Sequence, residues 1–267
     1  MNYKKLLIGK LSWKRLFIST ITIFLLITAF AHVYAEKLIF PYNQSSYDET
    51  IVGLKFLQAE DGVSIATRFW QVRDEKAVVI YFHGNYMDIG HLDDVAELLN
   101  QQHYSVLAMD YRGYGLSQGQ PQEENTYQDA QLVYDYAQDL GYKPENTLIL
   151  GHSVGSGVAT DLALKNQTKA LILISPFSST YRVMTRYGIL PFDKFNNLAK
   201  IENIKTSLFI VHGTDDHVIP AWHSQELINK HKGKHERVLI NGAGHNDIWH
   251  YAKSNFIKQL DFFVEKK

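Results

Sequence analysis

The 267-residue chain contains no cysteine. That absence excludes a disulfide scaffold, a cysteine nucleophile and thiolate metal sites, so any nucleophile must be another side chain. With 45% hydrophobic residues, a chain of this length buries a sizeable core without covalent staples. A basic face is missing as well. Lys4, Lys5, Lys10, Lys14 and Arg15 are the only charged residues before Glu36; setting these five aside from 27 basic residues leaves 22 against 28 acidic ones, a formal charge of −6. Phosphate neutralisation needs the opposite sign, so no nucleic-acid partner is expected. Gly113, Gly115 and Gly119 miss the G-x-G-x-x-G spacing by one residue, which argues against a dinucleotide site. His231 and His235 have helical ligand spacing but no adjoining acid, so they do not form a zinc-protease motif, and neither a metal nor an organic cofactor is expected.

What is present begins with a membrane signal. Residues 16–35 carry no formal charge over 20 positions, which as a helix is about 30 Å, one hydrocarbon core. Apolar residues go all round that helix, and the basic cluster sits on one flank only. Residues 1–35 are therefore expected to form an uncleaved anchor. The positive-inside rule then places the N-terminus in the cytoplasm and the body on the non-cytoplasmic side. Val33-Tyr34-Ala35 also offers compact residues where a signal peptidase would cut, which keeps a secreted or periplasmic product open. Residues 36–48, with Pro41 and several polar groups, read as a tether, and residues 49–267 as a single globular domain.

In that domain, short apolar runs at 78–82, 106–109, 148–150, 171–174, 208–211 and 238–240 read as strands, most of them buried on both faces. Helix-like stretches at 89–102, 123–140, 153–164, 221–230 and 246–264 alternate with them. The alternation predicts an α/β fold with a mostly parallel sheet and helices on both faces. Residues 51–57 and 64–70 flank the turn signal Asp61-Gly62, so an antiparallel hairpin is expected to open the sheet. In such sheets ligands bind beyond the carboxyl ends of the strands.

Directly after the 148–150 run stands Gly151-His152-Ser153-Val154-Gly155, a G-x-S-x-G in its strand-turn-helix setting. The glycines allow a cramped turn that lifts Ser153 above the strand end, and the next helix offers its N-terminus to developing negative charge. A serine hydroxyl is a weak nucleophile and needs a base, itself oriented by a carboxylate, in the chain order Ser, Asp, His. Past the next strand end lie Asp215 and Asp216, and past the last, His245 in a glycine-rich loop. After the 78–82 run, His83-Gly84-Asn85 leaves the sheet. In this architecture the backbone N–H groups of Asn85 and Val154 are the candidates for an oxyanion hole, and His83 reads as a structural residue beneath the loop.

Phe82-His83-Gly84-Asn85, Asp110-Tyr111-Arg112-Gly113-Tyr114-Gly115-Leu116-Ser117, Gly151-His152-Ser153-Val154-Gly155-Ser156-Gly157, His212-Gly213-Thr214-Asp215-Asp216 and Gly244-His245 together resemble the α/β-hydrolase superfamily. More narrowly, they are similar to its Bem46 and ABHD13-like branch, often described as serine aminopeptidase S33-type or acyl hydrolases. The resemblance spans about residues 50–265. It implies Ser153 as nucleophile, Asp216 as acid through the H-G-x-x-D spacing, and His245 as base, with residues 110–115 mainly a structural turn. Members of the family include membrane-anchored ones. Tyr86 departs from the pattern, since relatives commonly carry a small residue there.

Residues 176–206 are too short for a large cap but long enough for a lid, made apolar by Phe177, Tyr181, Met184, Tyr187, Ile189, Leu190, Phe192 and Phe195. Contact with an acyl chain and ordinary packing on the sheet edge both fit this composition. The expected function is a membrane-tethered serine hydrolase acting on an ester or thioester of a small-molecule or lipid-like acyl substrate. A serine peptidase of the same fold and a non-catalytic binding protein are the alternatives.

Overall fold

The computed structural model describes residues 12–41, 44–252 and 255–265; Lys4, Lys5 and Lys10 of the basic flank lie outside them. Two compact units divide the chain, one ending at Leu38 and the other running from Ile39. Among the described residues the first is one helix, α1 (Trp13–Ile39, whose last residue belongs to the second unit), with a mean hydropathy of 2.2 over its most apolar stretch. Phe17, Leu26 and Phe30 are exposed on it. The hydroxyls of Thr20 and Thr28 donate back to the carbonyls of Leu16 and Phe24, at 3.0 and 2.8 Å, so these polar groups are satisfied inside the helix. By length and composition α1 can cross a bilayer.

The second unit is built on an eight-stranded sheet. Its strands are β1 (Leu54–Gln58), β2 (Ser64–Trp70), β3 (Ala77–Phe82), β4 (Tyr104–Met109), β5 (Thr147–His152), β6 (Ala170–Ile174), β7 (Ser207–Gly213) and β8 (His235–Ile240), in the order β1-β2-β4-β3-β5-β6-β7-β8. β2 pairs antiparallel with β1 and β4; every other neighbouring pair is parallel. The expected hairpin and parallel sheet are both present. β3, β4, β5 and β6 are buried along their whole length, which is why their sequences are continuous apolar runs without alternation.

The helices are α2 (Asp93–Asn100), α3 (Glu123–Asp139), α4 (Gly155–Lys165), the short α5 (Thr180–Met184) and α6 (Asn197–Ile201), α7 (Trp222–Lys230), α8 (Ile248–Ala252) and α9 (Asn255–Glu265). The helix expected over 89–102 begins later, because residues Ile89–His91 form a 3₁₀ turn. The Asp88 carboxylate accepts the Gly90 N–H at 3.0 Å, and Asp93 and Asp94 then open α2 where acidic side chains favour a helix N-terminus. The stretch expected over 246–264 is two helices, with residues 253 and 254 between them outside the described set.

Residues 36–48 do not behave uniformly as a tether, since Ile39 and Phe40 are buried in the second unit. The hairpin turn is also tied down. Arg112 donates through Nε and Nη2 to the buried Asp129, at 2.8 and 2.9 Å, and through Nη1 to Asp61 at 2.5 Å. The motif at 110–115 thereby fastens the β1–β2 turn to α3.

α4 starts hard against the sheet. A Cβ at Gly155 would lie 2.1 Å from the Phe82 carbonyl oxygen, inside any permitted contact. Gly155→Ala is therefore expected to force α4 off β3 and to cost on the order of 1–3 kcal/mol or more. Thermal unfolding measures it, and an unchanged Tm would contradict this packing.

Candidate active site

Sheet register assembles the site. β3 is where the strand order reverses, since the chain passes from β3 to β4 on one side and to β5 on the other. Phe82 pairs with Gly151, so the loop leaving β3 emerges beside the turn leaving β5. A Cβ at Gly84 would sit 3.6 Å from the Ser153 Cβ, which measures how closely the two turns approach.

Ser153 adopts φ of +54°, the left-handed region that a serine rarely occupies. The strain is held by its neighbours. Its N–H donates to the Ile174 carbonyl at 2.9 Å, and its own carbonyl accepts from the Ser156 N–H at 2.9 Å and the Ser156 hydroxyl at 2.6 Å. The Ser153 hydroxyl oxygen stands 2.9 Å from His245 Nε2, and His245 Nδ1 stands 2.7 Å from Asp216 Oδ2. A serine, an imidazole and a carboxylate thus form one continuous chain.

The carboxylate is itself fixed. Asp216 Oδ1 accepts the N–H groups of Val218 and Ile219 at 3.0 and 2.7 Å, and His212 Nε2 lies 3.3 Å from Oδ2 while bonding the Ile219 carbonyl at 2.7 Å. Burial pushes this carboxyl up, but the hydrogen bonds from His212, His245 and the Ile219 N–H outweigh it and hold it well below the usual carboxylate range. Asp215 is exposed, and its carboxylate accepts from the neighbouring Thr214 hydroxyl at 2.9 Å. The two adjacent acids therefore point to different partners.

The loop beside Ser153 is also supported from below. The hydroxyls of Tyr111 and Tyr114 donate to the carbonyls of His83 and Asn85, at 2.7 and 3.0 Å. The Gly84 carbonyl accepts the Met87 N–H at 3.2 Å and lies 2.8 Å from His83 Nδ1. In a trans peptide the next N–H points opposite to that carbonyl, so the Asn85 N–H is directed out of the loop's own turn. Val154, the residue after Ser153, is buried at the N-cap of α4. His83 is fully buried, with Nε2 3.3 Å from Asp110 Oδ1.

Two histidines lie inside the sequence motifs without a role that the motifs assign to them. His212 backs the carboxylate from behind. His152 is buried with its ring 5.9 Å from that of His245; burial, with the nearby His245, pushes its pKa down to about 3, so it stays neutral beside that imidazole. Among the lid residues, Phe177 and Phe195 are core, Tyr181, Leu190 and Phe192 are half-buried, and Met184, Tyr187 and Ile189 are exposed. Tyr86 is also exposed. A surface cavity lined by Phe69, Glu75, Tyr142 and Asn146 lies by the N-terminal ends of β3 and β5, at the opposite edge of the sheet from Ser153.

This fold, with a serine on the strand-to-helix turn after β5, belongs to the α/β-hydrolase superfamily. The chain is a member, as its relatives show. The serine aminopeptidase S33 family profile matches residues 73–199. Human alpha/beta hydrolase domain-containing protein 17B is 31% identical over 231 residues, covering 85% of this chain and 80% of that protein. The 17C protein of Xenopus tropicalis is 34% identical over 191 residues, covering 70% and 61%. Among solved structures, the Pyrococcus furiosus esterase Pf2001 superposes with a TM-score of 0.69 at 20% identity, over 83% of this chain and 95% of that one. Est1E of Butyrivibrio proteoclasticus, with ferulic acid bound, superposes at 0.62 and 19% identity, over 79% and 96%. The comparisons support a hydrolase and do not single out the Bem46 and ABHD13-like branch.

The depressed Asp216 carboxyl has a thermodynamic consequence. A carboxyl held lower in the folded than in the unfolded chain adds stability above the unfolded pKa of about 4 and loses it as pH falls further. The unfolding free energy of the wild type minus that of Asp216→Asn is therefore expected to fall steadily from about pH 5 to about pH 3. Urea unfolding at several pH values reads it; a difference independent of pH would mean that Asp216 is not held ionised.

Proposed function

We propose that the protein is a membrane-tethered serine hydrolase that cleaves an ester or thioester acyl bond through an acyl-enzyme. The observation that carries this reading is the unbroken chain from the Ser153 hydroxyl through His245 to the Asp216 carboxylate. His245 Nε2 takes the Ser153 proton as Oγ attacks the acyl carbonyl carbon, and Asp216 stabilises the imidazolium that forms. The N–H groups of Asn85 and Val154 hold the tetrahedral oxyanion. Collapse expels the alkoxide or thiolate, which receives the proton from His245. A water, deprotonated in turn by His245, then attacks the acyl-Ser153 carbonyl and releases the carboxylic acid with Ser153 restored. The substrate is a small-molecule or lipid-like acyl compound.

A peptide substrate has less support. The acids at the lid are already engaged: Asp193 accepts the N–H groups of Tyr181 and Lys194, at 3.0 and 2.8 Å, and Glu226 receives Arg182 bidentately at 2.7 and 2.8 Å. Both carboxylates thus already have partners within the protein, which weakens the case for an acid held ready for a peptide's amino terminus.

Ser153→Ala should lower kcat on an ester or thioester substrate by on the order of 10⁶ with the thermal unfolding curve retained. Full turnover by the purified variant would overturn the assignment. Asp216→Asn should cost far more kcat/KM than Asp215→Asn, and the reverse order would move the acid to Asp215.

The membrane part of the proposal rests on α1 and its basic flank. We place the catalytic unit on the non-cytoplasmic side, with α1 uncleaved. The native protein should sediment with membranes, resist carbonate extraction and retain the residues before Glu36 by mass, whereas a chain starting at Glu36 should be soluble and active. A native N-terminus at Glu36 would make residues 1–35 a signal peptide.

A further inference from the structure

The catalytic unit begins at the point where its chain touches the loop beside Ser153. Asn85 donates its side-chain amide to the Ile39 carbonyl at 3.1 Å, and Phe40, only 5% exposed, is packed next to it. The Phe40 ring lies edge-on to Tyr111 at 5.7 Å and to Tyr114 at 6.1 Å, and those two rings meet each other at 5.6 Å. These are the same tyrosines whose hydroxyls hold the His83 and Asn85 carbonyls. Phe40 also meets Phe195 of the lid at 6.0 Å. A few residues on, the chain is fastened again: the Ser46 N–H donates to Asp88 at 2.7 Å, and the Tyr47 hydroxyl bonds Asp110, whose other oxygen accepts the Ile89 N–H at 2.8 Å.

We propose that Ile39 and Phe40 form a strap that positions the oxyanion loop. The Ile39 carbonyl fixes Asn85 directly by accepting its side-chain amide, and Phe40 fixes it indirectly by closing the aromatic cluster beneath it. The inference rests on the role proposed above for the Asn85 N–H. That N–H belongs to the peptide between Gly84 and Asn85; the strap and Tyr114 hold Asn85, and Tyr111 holds the His83 carbonyl one peptide earlier. Donors of this kind act on charge that develops in the transition state, so a misplaced loop loses transition-state stabilisation while ground-state binding is largely kept. A displacement near 1 Å can cost up to about 10²-fold in rate. The strap lies beyond Ala35, so it is present in the protein whether or not residues 1–35 are removed.

The test uses the full chain with Asn85→Ala, Phe40→Ala and Phe40→Tyr, assayed on a p-nitrophenyl ester alongside thermal unfolding. Asn85→Ala removes the amide but leaves the backbone N–H. Asn85→Ala and Phe40→Ala should each lower kcat about tenfold or more with KM within about twofold, and Phe40→Tyr, which keeps the ring, should recover most of the loss. Should Phe40→Ala fail to fold, Asn85→Ala decides the matter, since its side chain is only half-buried. A kcat within twofold of wild type for folded Asn85→Ala, or a loss confined to KM, overturns the strap. A wild type that neither turns over the ester nor reacts with a fluorophosphonate overturns the hydrolase reading instead, so the two failures are distinct.

Discussion

A single left-handed residue sets the geometry on which the site depends. Ser153 holds φ of +54° at the end of β5, a conformation that costs a non-glycine residue on the order of 1–2 kcal/mol. It persists because the surroundings over-determine it: β6 takes its N–H, Ser156 takes its carbonyl twice over, and α4 is seated so close to β3 that only glycine fits at 155. The result is a hydroxyl raised above the strand ends, facing the two loops that bring His245 and Asp216.

Those loops depend on the parallel register of the last two strands. Gly213 pairs with Ile240, and beyond that pair the Asp215 N–H donates to the Ala243 carbonyl at 3.0 Å and the Gly242 N–H to the Thr214 hydroxyl at 2.9 Å. The loop that bears Asp216 and the loop that bears His245 are therefore knitted to each other before either reaches Ser153. Within the first of these loops, two N–H groups and His212 converge on Asp216, while the exposed Asp215 carboxylate accepts from the Thr214 hydroxyl.

The sheet was legible in the sequence because its central strands are buried on both faces and read as unbroken apolar runs. The candidate site residues stood out in the sequence because each follows such a run at a strand end; in the structure Ser153, His245 and Asp216 lie in one chain of contacts. Less legible was whatever depends on contacts between segments distant in sequence. The tether composition of residues 36–48 conceals that Ile39 and Phe40 are buried, because their partners, Asn85, Tyr111, Tyr114 and Phe195, lie 46 or more residues away. The apolar lid could not be divided by composition either, since Phe195 is core and Tyr187 is exposed although both are aromatic. The break before α2 needed a capping contact by Asp88 that no periodicity reveals.

The central claim is that Ser153 is an activated nucleophile, and covalent capture tests it most directly. After treatment of the intact protein with a fluorophosphonate, mass spectrometry should find one adduct per chain, mapping to the peptide that contains Ser153. No adduct, or an adduct on a different serine, would contradict the account.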